Sequence, residues 1–576
     1  MSENLAVQTE RVDDIPILLA MTKQMGIAEL VNALFGEHGN RQGISLGEML
    51  EGWLTYILSE GDHRLNQVEE WAEKREETLR RSLNEEVRAL DFADDRLADG
   101  LGQLSRDEKW SALERALNER SIRVYELGVE CVRIDSTTGS GYWEVTEEGL
   151  FQFGHSKDHR PNLPQVKVML STLDPMGMPV VTQVVSGERA DDKLYIPAID
   201  EVRVGLGQRG LLYVGDCKMM ALETRAHLQA GQDYYLGPFS LTHVSRETLD
   251  EYLKPVWDEK QALTVVYRES VDGQEKPIAE GFEQRETLTA EVDEEMQVWA
   301  ERRLIIRSRA HAKSAETALK KRLQQAQTDI EALNEHKQGK TRFVDIASLQ
   351  QAAETLLKKH QVDGLLVLTY SEQVQEHLVR KHKERPAEIR IERQVRVAVQ
   401  HDVTAIGEAI RRLGWRVYGT NSPSSLLPLD KAVLAYRDEY LVEHCFGRLK
   451  GKPLGLTPMY LADDQRATGL IRLLSIGVRV LTLLEHVVRR RLAQMDQSLA
   501  GLYAGNPTRA TRRPTTEALL RAFKDIFLSF VSVGNQSYCY LSPLSELQLK
   551  ILDLLGLPDT IYSSLSARSS HSPNPP

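Results

Sequence analysis

Cysteine is scarce: Cys131, Cys217, Cys445 and Cys539 are the only four in 576 residues. They are too few and too scattered for a disulfide framework, and no CxxC pair offers zinc a ligand set. A reducing cytoplasm is therefore the expected compartment. An excess of basic residues is missing too. The net charge of -12 excludes, as an average, a histone-like or polybasic nucleic-acid coat. The N-terminal stretch MSENLAVQTERVDDIP has neither a basic n-region nor an apolar h-region, so no signal peptide is expected. The longest apolar run, Leu470 to Val488, is broken by Arg472, Arg479 and Glu485. An arginine at mid-bilayer costs on the order of 2.5–3.5 kcal/mol. The run is expected to be a core helix, and no membrane partner is expected. With 27% charged and 41% hydrophobic residues, fibrous and globally disordered classes are also out.

What is present changes along the chain. Residues 1–125 read as helices (IPILLAMTKQMGIAELVNALF, ISLGEMLEGWLTYILS, LNQVEEWAEKREETLRRSL), an independent module for DNA-end or dimer contacts. Residues 126–240 switch to strands and strand–helix alternation. ECVRID is expected to end on Asp135, GLFQFGH to be a strand, and QVKVMLSTLD with PVVTQVVSG to form a hairpin about Asp174 to Gly177. DDKLYIPAIDEVRVGLG has helical spacing, LLYVGD reads as a strand ending on Asp216, and DYYLGPFS as another strand. The expected fold class is α/β with a mixed sheet. Residues 241–410 are a charge-rich insertion containing a helix with Leu319, Leu323, Ala326, Ile330 and Leu333 on one face. Residues 411–465 resume the core with GWRVYGTN and a helix from about Asp430 to Lys450. A helical C-terminal region, 466–562, and a polar tail, 563–576, expected to be disordered, complete the chain.

Several motifs carry no chemistry. Gly205 to Gly210 matches GxGxxG, but a dinucleotide fingerprint follows a strand and opens a helix. Here the glycines precede LLYVGD, as in a helix-to-strand turn. His155 and His159 lie in HSKDH, a loop-like segment rather than HExxH.

Three acids stand in places where chemistry is done. Asp135 and Asp216 end apolar strands, and sites in open α/β sheets lie beyond the carboxyl ends of strands. In the helix through Glu443, a spacing of four and three places Tyr436, Tyr440, Glu443, Gly447 and Lys450 on one face. Such a face makes poor core. For one helix alone, a solvated face with an ordinary Glu–Lys pattern is the simpler reading.

Taken together these segments resemble the DDE insertion-sequence transposases. Tyr436, Glu443 and Lys450 match the Y-(2)-R-(3)-E-(6)-K signature, RIDSTT the first-aspartate strand and YVGDCKM the second. GHSKDHRPNLPQVKVML, SGERADDKLYIP and WRVYGTN match further segments in order, from about Cys131 to Leu461. One position departs: Glu439 stands where the signature has arginine, with Arg437 and Arg448 nearby.

The resemblance implies an RNase H-like fold in which Asp135, Asp216 and Glu443 are catalytic and bind two Mg²⁺ ions, with Mn²⁺ as a possible substitute. It also implies cleavage at transposon ends and strand transfer into target DNA by a homodimeric synapse. Tyr436, Lys450, Arg437, Arg448 and Trp415 are the implied DNA contacts. Trp415 would stack on a flipped base, although a packed core tryptophan is the plainer reading. Carboxylates on separate elements suit a hard, oxygen-seeking cation that keeps room for phosphate. The alternatives are a catalytically silent DNA-binding relic, for which Glu439 is the motive, and an unrelated metal-dependent nuclease. Basic runs such as ERRLIIRSRAHAK, LVRKHKERPAEIRIERQVR and VVRRRLAQ are candidate phosphate tracks within an acidic total.

Overall fold

The computed structural model describes residues 5–36, 43–240, 242–269, 274–335, 342–379, 388–461, 463–533 and 536–567. The chain divides into two compact units: Met1–Gly237 with Thr287–Ala300 and Ala435–Pro576, and Pro238–Glu286 with Glu301–Leu434.

In the first unit, β1 (Leu5–Arg11) pairs with β13 (Phe527–Val533), which pairs with β14 (Gln536–Leu541), so the two chain ends share a small antiparallel sheet. The main strands are β2 (Cys131–Ser140), β3 (Gln165–Leu173), β4 (Met178–Ser186), β5 (Leu212–Gly215) and β6 (Tyr234–Pro238). They lie in the order β4-β3-β2-β5-β6. β2, β3 and β4 are antiparallel neighbours, and β2, β5 and β6 run parallel. The sheet is thus mixed, as expected. β3 is buried at all nine positions, its polar Gln165, Lys167, Ser171 and Thr172 included.

A 31-residue helix, Asp464–Gln494, is the spine of this unit. Asp463 caps it by accepting from the Arg466 amide, and it packs on β4 and on helices Asp94–Leu104, Leu46–Glu60 and Ile15–Met25. It is long and apolar enough to cross a membrane, but 94% of its apolar window is buried inside the protein. Its buried charges, Arg472, Arg479 and Glu485, are matched. Arg479, with no exposed surface, donates to Glu114 (3.1 Å) and Asn118 (2.6 Å), and Arg472 donates to Leu104 O (2.9 Å) and pairs with Asp107. A helix that is apolar nearly all round needs neighbours on every side. This is why the N-terminal helices do not form an independent module: they, the first core strands and the C-terminal helices share one interior.

Other expectations are corrected in detail. β1 was not legible as a strand. β2 runs five residues past Asp135, GLFQFGH contributes only the bridge Gln152↔Gln165, and the C-terminal region contains β13 and β14. Gly205 to Gly210 is indeed a helix-to-strand turn, with Gly207 and Gly210 at φ +61° and +76° before β5. Of the tail, Ser563 ends a helix and Ser564–Ser566 form a 3-10 turn, while 568–576 lie outside the described residues.

The second unit contains β7 (Thr264–Glu269), β8 (Glu275–Val292), β9 (Glu295–Ser308) and β12 (Trp415–Thr420) in the order β12-β9-β8-β7, with the 287–300 tip of the β8–β9 hairpin belonging to the first unit. It also holds the hairpin of β10 (Leu366–Val379) and β11 (Glu388–His401). The expected leucine-faced helix is Arg309–Glu331; its Leu319, Leu323, Ala326 and Ile330 bury against Leu349, Ala353 and Leu357 of a second helix. Residues 380–387 of one basic run lie outside the described residues.

Candidate functional site

The site begins with strand register. β2 and β5 are parallel and pair Ile134 with Gly215, so Asp135 and Asp216 follow at the same level on strands about 4.8 Å apart. Asp135 sits within β2 rather than at its end, whereas Asp216 directly follows β5. Both carboxylates are held. Asp135 Oδ1 accepts from the Ser136 amide at 2.7 Å and from Lys157 Nζ at 3.2 Å. Asp216 Oδ1 accepts from the buried Tyr195 hydroxyl at 2.7 Å and from the Lys218 amide at 2.8 Å.

The expected helix from Asp430 to Lys450 is two helices, Leu429–Arg437 and Tyr440–Lys450. The junction is tightened by three-residue steps: Glu439 N donates to Tyr436 O (3.1 Å) and Val442 N to Glu439 O (3.2 Å). Tyr436 is consequently not on the exposed face with Glu443. It is buried, and its hydroxyl bonds the Glu439 carboxylate.

Three contacts fix the end of the first helix and the length of the second to the sheet. Arg133 of β2 forks onto Asp174 (2.8 and 2.6 Å) and also donates to Ala435 O at 2.6 Å. The Cys445 thiol donates to Gly177 O at 2.7 Å, in the β3–β4 turn. Gly177 has φ +73°, and a Cβ there would meet Leu441 O at 3.1 Å, so the turn needs glycine on both counts. Lys450 Nζ donates to Thr137 Oγ1 of β2 at 3.2 Å and pairs with Asp158. Thr137 is two residues beyond Asp135, hence on the same face of the sheet.

Glu443 is exposed on the pinned helix, one turn after Glu439 and two before Lys450. Glu439 is the fourth acid of the group. Its carboxyl is raised above the ordinary glutamate value, first by burial, with Asp135, Glu443 and Asp216 adding repulsion and the Tyr436 hydrogen bond opposing them. Asp135 is raised as well, by burial and by Asp216, against the pull of Lys157. Lys157 balances this charge. It lies 3.2 Å from Asp135 and 3.5 Å from Asp191, donates to Ser136 O at 2.7 Å, and its pKa is raised because these carboxylates outweigh its burial.

Among the described residues, no three His, Cys, Asp or Glu side chains are drawn tightly enough together to hold an ion as they stand. The donors nevertheless fit a hard divalent cation in type: they are all carboxylate oxygens, and an ammonium already sits at Asp135 as a cationic stand-in.

The remaining expected residues scatter. Arg448 is 3% exposed and locked between Glu485 (2.5 Å) and Glu517 (2.9 Å), so it cannot reach a phosphate. Arg437 ends the first helix, half-buried. Trp415 belongs to the second unit, where it is buried against Phe282 (6.5 Å, edge-to-face) and donates to Arg411 O at 3.1 Å: the packed core residue, not an exposed stacking ring. Arg302 and Arg303, in one expected phosphate track, are buried and paired with Glu283 and Glu286. Conversely, Lys157, Asp158, Asp191 and Tyr195 reach the site although only their segments stood out in the sequence. For Lys157, Asp158 and Asp191 the signal was the density of ionisable residues in GHSKDH and GERADDK, whereas Tyr195 follows the second segment.

Residues 7–114 match a family described as a domain of unknown function, DUF4277. That span covers most of the N-terminal helices and none of the carboxylate site. No curated protein matches the chain.

Proposed function

We propose that this protein is a DDE transposase that cleaves DNA at transposon ends and transfers the freed 3′ strand into target DNA. The observation that carries the reading is the level placement of Asp135 and Asp216 on adjacent parallel strands, beside a helix that presents Glu443 and is tied back to β2 through Lys450. The RNase H-like fold is part of the proposal. Its support is an antiparallel β4-β3-β2 run continued by parallel β5 and β6, with one carboxylate on β2 and the next immediately after β5.

Asp135, Asp216 and Glu443 would hold two Mg²⁺ ions, or Mn²⁺ in their place. When bound, such ions supply Lewis-acid charge at the phosphate and lower the pKa of water. The chain's own groups do the rest. Tyr195 and the Lys218 amide fix the Asp216 carboxylate, and the Ser136 amide fixes that of Asp135. Lys450 offers its ammonium to a DNA phosphate. A homodimer would bring two ends together in the cytoplasm, at the nucleoid.

Single replacement of Asp135, Asp216 or Glu443 by alanine is expected to abolish Mg²⁺-dependent cleavage of the inverted repeats flanking the gene. Full activity in any of the three variants would overturn the assignment. Glu439 favours a second reading, the silent relic, since it adds repulsion where the signature has arginine. End binding by the unaltered protein without cleavage would support it. Cleavage without strand transfer would instead indicate a nuclease.

A further inference from the structure

β2 does not stop at the carboxylates. It continues from Asp135 to Ser140, about 16 Å at strand rise. There it opens into a groove of about 570 Å³ whose walls include Tyr142, Trp143, Arg160, Lys450 and Tyr460. The groove is built unevenly. Trp143 is a fixed wall, stacked on Phe151 at 4.2 Å with its Nε1 donating to Leu461 O at 3.1 Å. Tyr142 and Tyr460 are 90% and 69% exposed, an unusual state for two large rings on one groove. Arg160 is exposed and has no ion-pair partner among the described residues. Lys450, shared with the carboxylate site, is half-buried and already balanced by Asp158.

Exposed aromatic rings beside an arginine without an ion-pair partner among the described residues fit a ligand that alternates flat rings with phosphates. A base stacks on an aromatic side chain regardless of its sequence, and a cationic groove tracks the backbone. A duplex offers no free base face to such rings. We propose that this groove holds a single-stranded DNA segment leading to the carboxylates, with a base on Tyr142 or Tyr460 and a phosphate on Arg160. This rests on the reading of the site as one that acts on DNA, and it assigns the strand form that the reading leaves open.

The test is anisotropy of a labelled single-stranded oligonucleotide of about 10 nucleotides, measured with the full chain in EDTA so that no cleavage intervenes, beside a duplex of the same length. Tyr142→Ala combined with Tyr460→Ala is expected to weaken single-strand binding at least tenfold and duplex binding less than about twofold, given roughly tenfold per stacked base. Tyr→Phe at both positions should restore binding, which a merely structural role for the hydroxyls would not allow. Arg160→Ala should flatten the salt dependence of single-strand binding.

Unchanged single-strand affinity in the double alanine variant, or equal loss for both DNA forms, would overturn the proposal. So would a change in oligomeric mass with affinity unchanged, which would make the groove an interface between copies. Single-strand binding that withstands these substitutions in a protein that still cuts transposon ends would remove the groove and leave the transposase reading intact. Tyrosine-dependent single-strand binding without end cleavage would do the reverse.

Discussion

Two neighbouring helices, Tyr440–Lys450 and Asp464–Gln494, treat charge in opposite ways. In the longer one, Arg472, Arg479 and Glu485 are buried, and each is answered by a specific partner from another element. These three charges are satisfied within the fold. In the shorter one, Glu443 is exposed near Glu439, whose carboxyl is also repelled by Asp135 and Asp216, and the cation paired with Asp135 is Lys157, a lysine on a loop. Matched charge inside a fold sets which surfaces meet. Acids gathered about the middle of β2 and the end of β5, with Lys157 as the ammonium at Asp135, concentrate negative charge in one place. Abundance of charge therefore says little about function, and its balance says much.

The sharpest way to break this contrast is to alter one charge from each class. Asp216→Ala is expected to cost at least about a hundredfold in DNA cleavage, more than the loss typical of groups that only support a metal ligand, with little change in melting temperature. Arg479→Ala should do the opposite. Leaving Glu114 buried without its cation costs about 3–5 kcal/mol, read as a large fall in melting temperature. If Asp216→Ala unfolds the protein as readily as Arg479→Ala, the distinction fails.

A smaller effect is expected at Lys157. Lys157→Met removes the ammonium from Asp135 and Asp191, so Mn²⁺ should bind the DNA-free protein several-fold more tightly by calorimetry. Weaker binding would mean that the lysine organises the carboxylates rather than offsetting their charge.

The smallest effect concerns a buried acid of a third kind. Glu51 is 1% exposed and accepts from the Ala28 amide at 3.1 Å; burial pushes its carboxyl up to about 7, against the pull of that amide and of Lys23. Its folded-state pKa lies above its unfolded value of 4.5. The folded protein therefore binds the extra proton between those values, and stability falls as pH rises from about 4.5 to about 7. Glu51→Gln keeps the acceptor and removes the titration, so melting temperature should depend less on pH across that window. An unchanged slope would show that Glu51 ionises at no cost.

How much of this was legible beforehand differs by element. The β3–β4 hairpin, β5 ending at Asp216 and the leucine-faced helix followed from local periodicity, because alternation and helical spacing are properties of a few consecutive residues. The break at Asp438 and Glu439 did not. No glycine or proline marks it, and at the end of the preceding helix Ala435 O is held by Arg133 from a distant strand. The burial of Arg448 and Trp415 was equally hidden, since their partners lie tens to more than a hundred residues away.

By itself the sequence determined the mixed α/β class and singled out Asp135, Asp216 and Glu443 as candidates. These depend on composition, period and spacing, which are local. Only the tertiary structure decided that β2 and β5 bring two of those acids level, that Glu439 joins them and Lys157 balances them, and that chain ends and core form one unit. Those outcomes depend on strand register and on which buried charge finds which partner, and neither is written in any single stretch of chain.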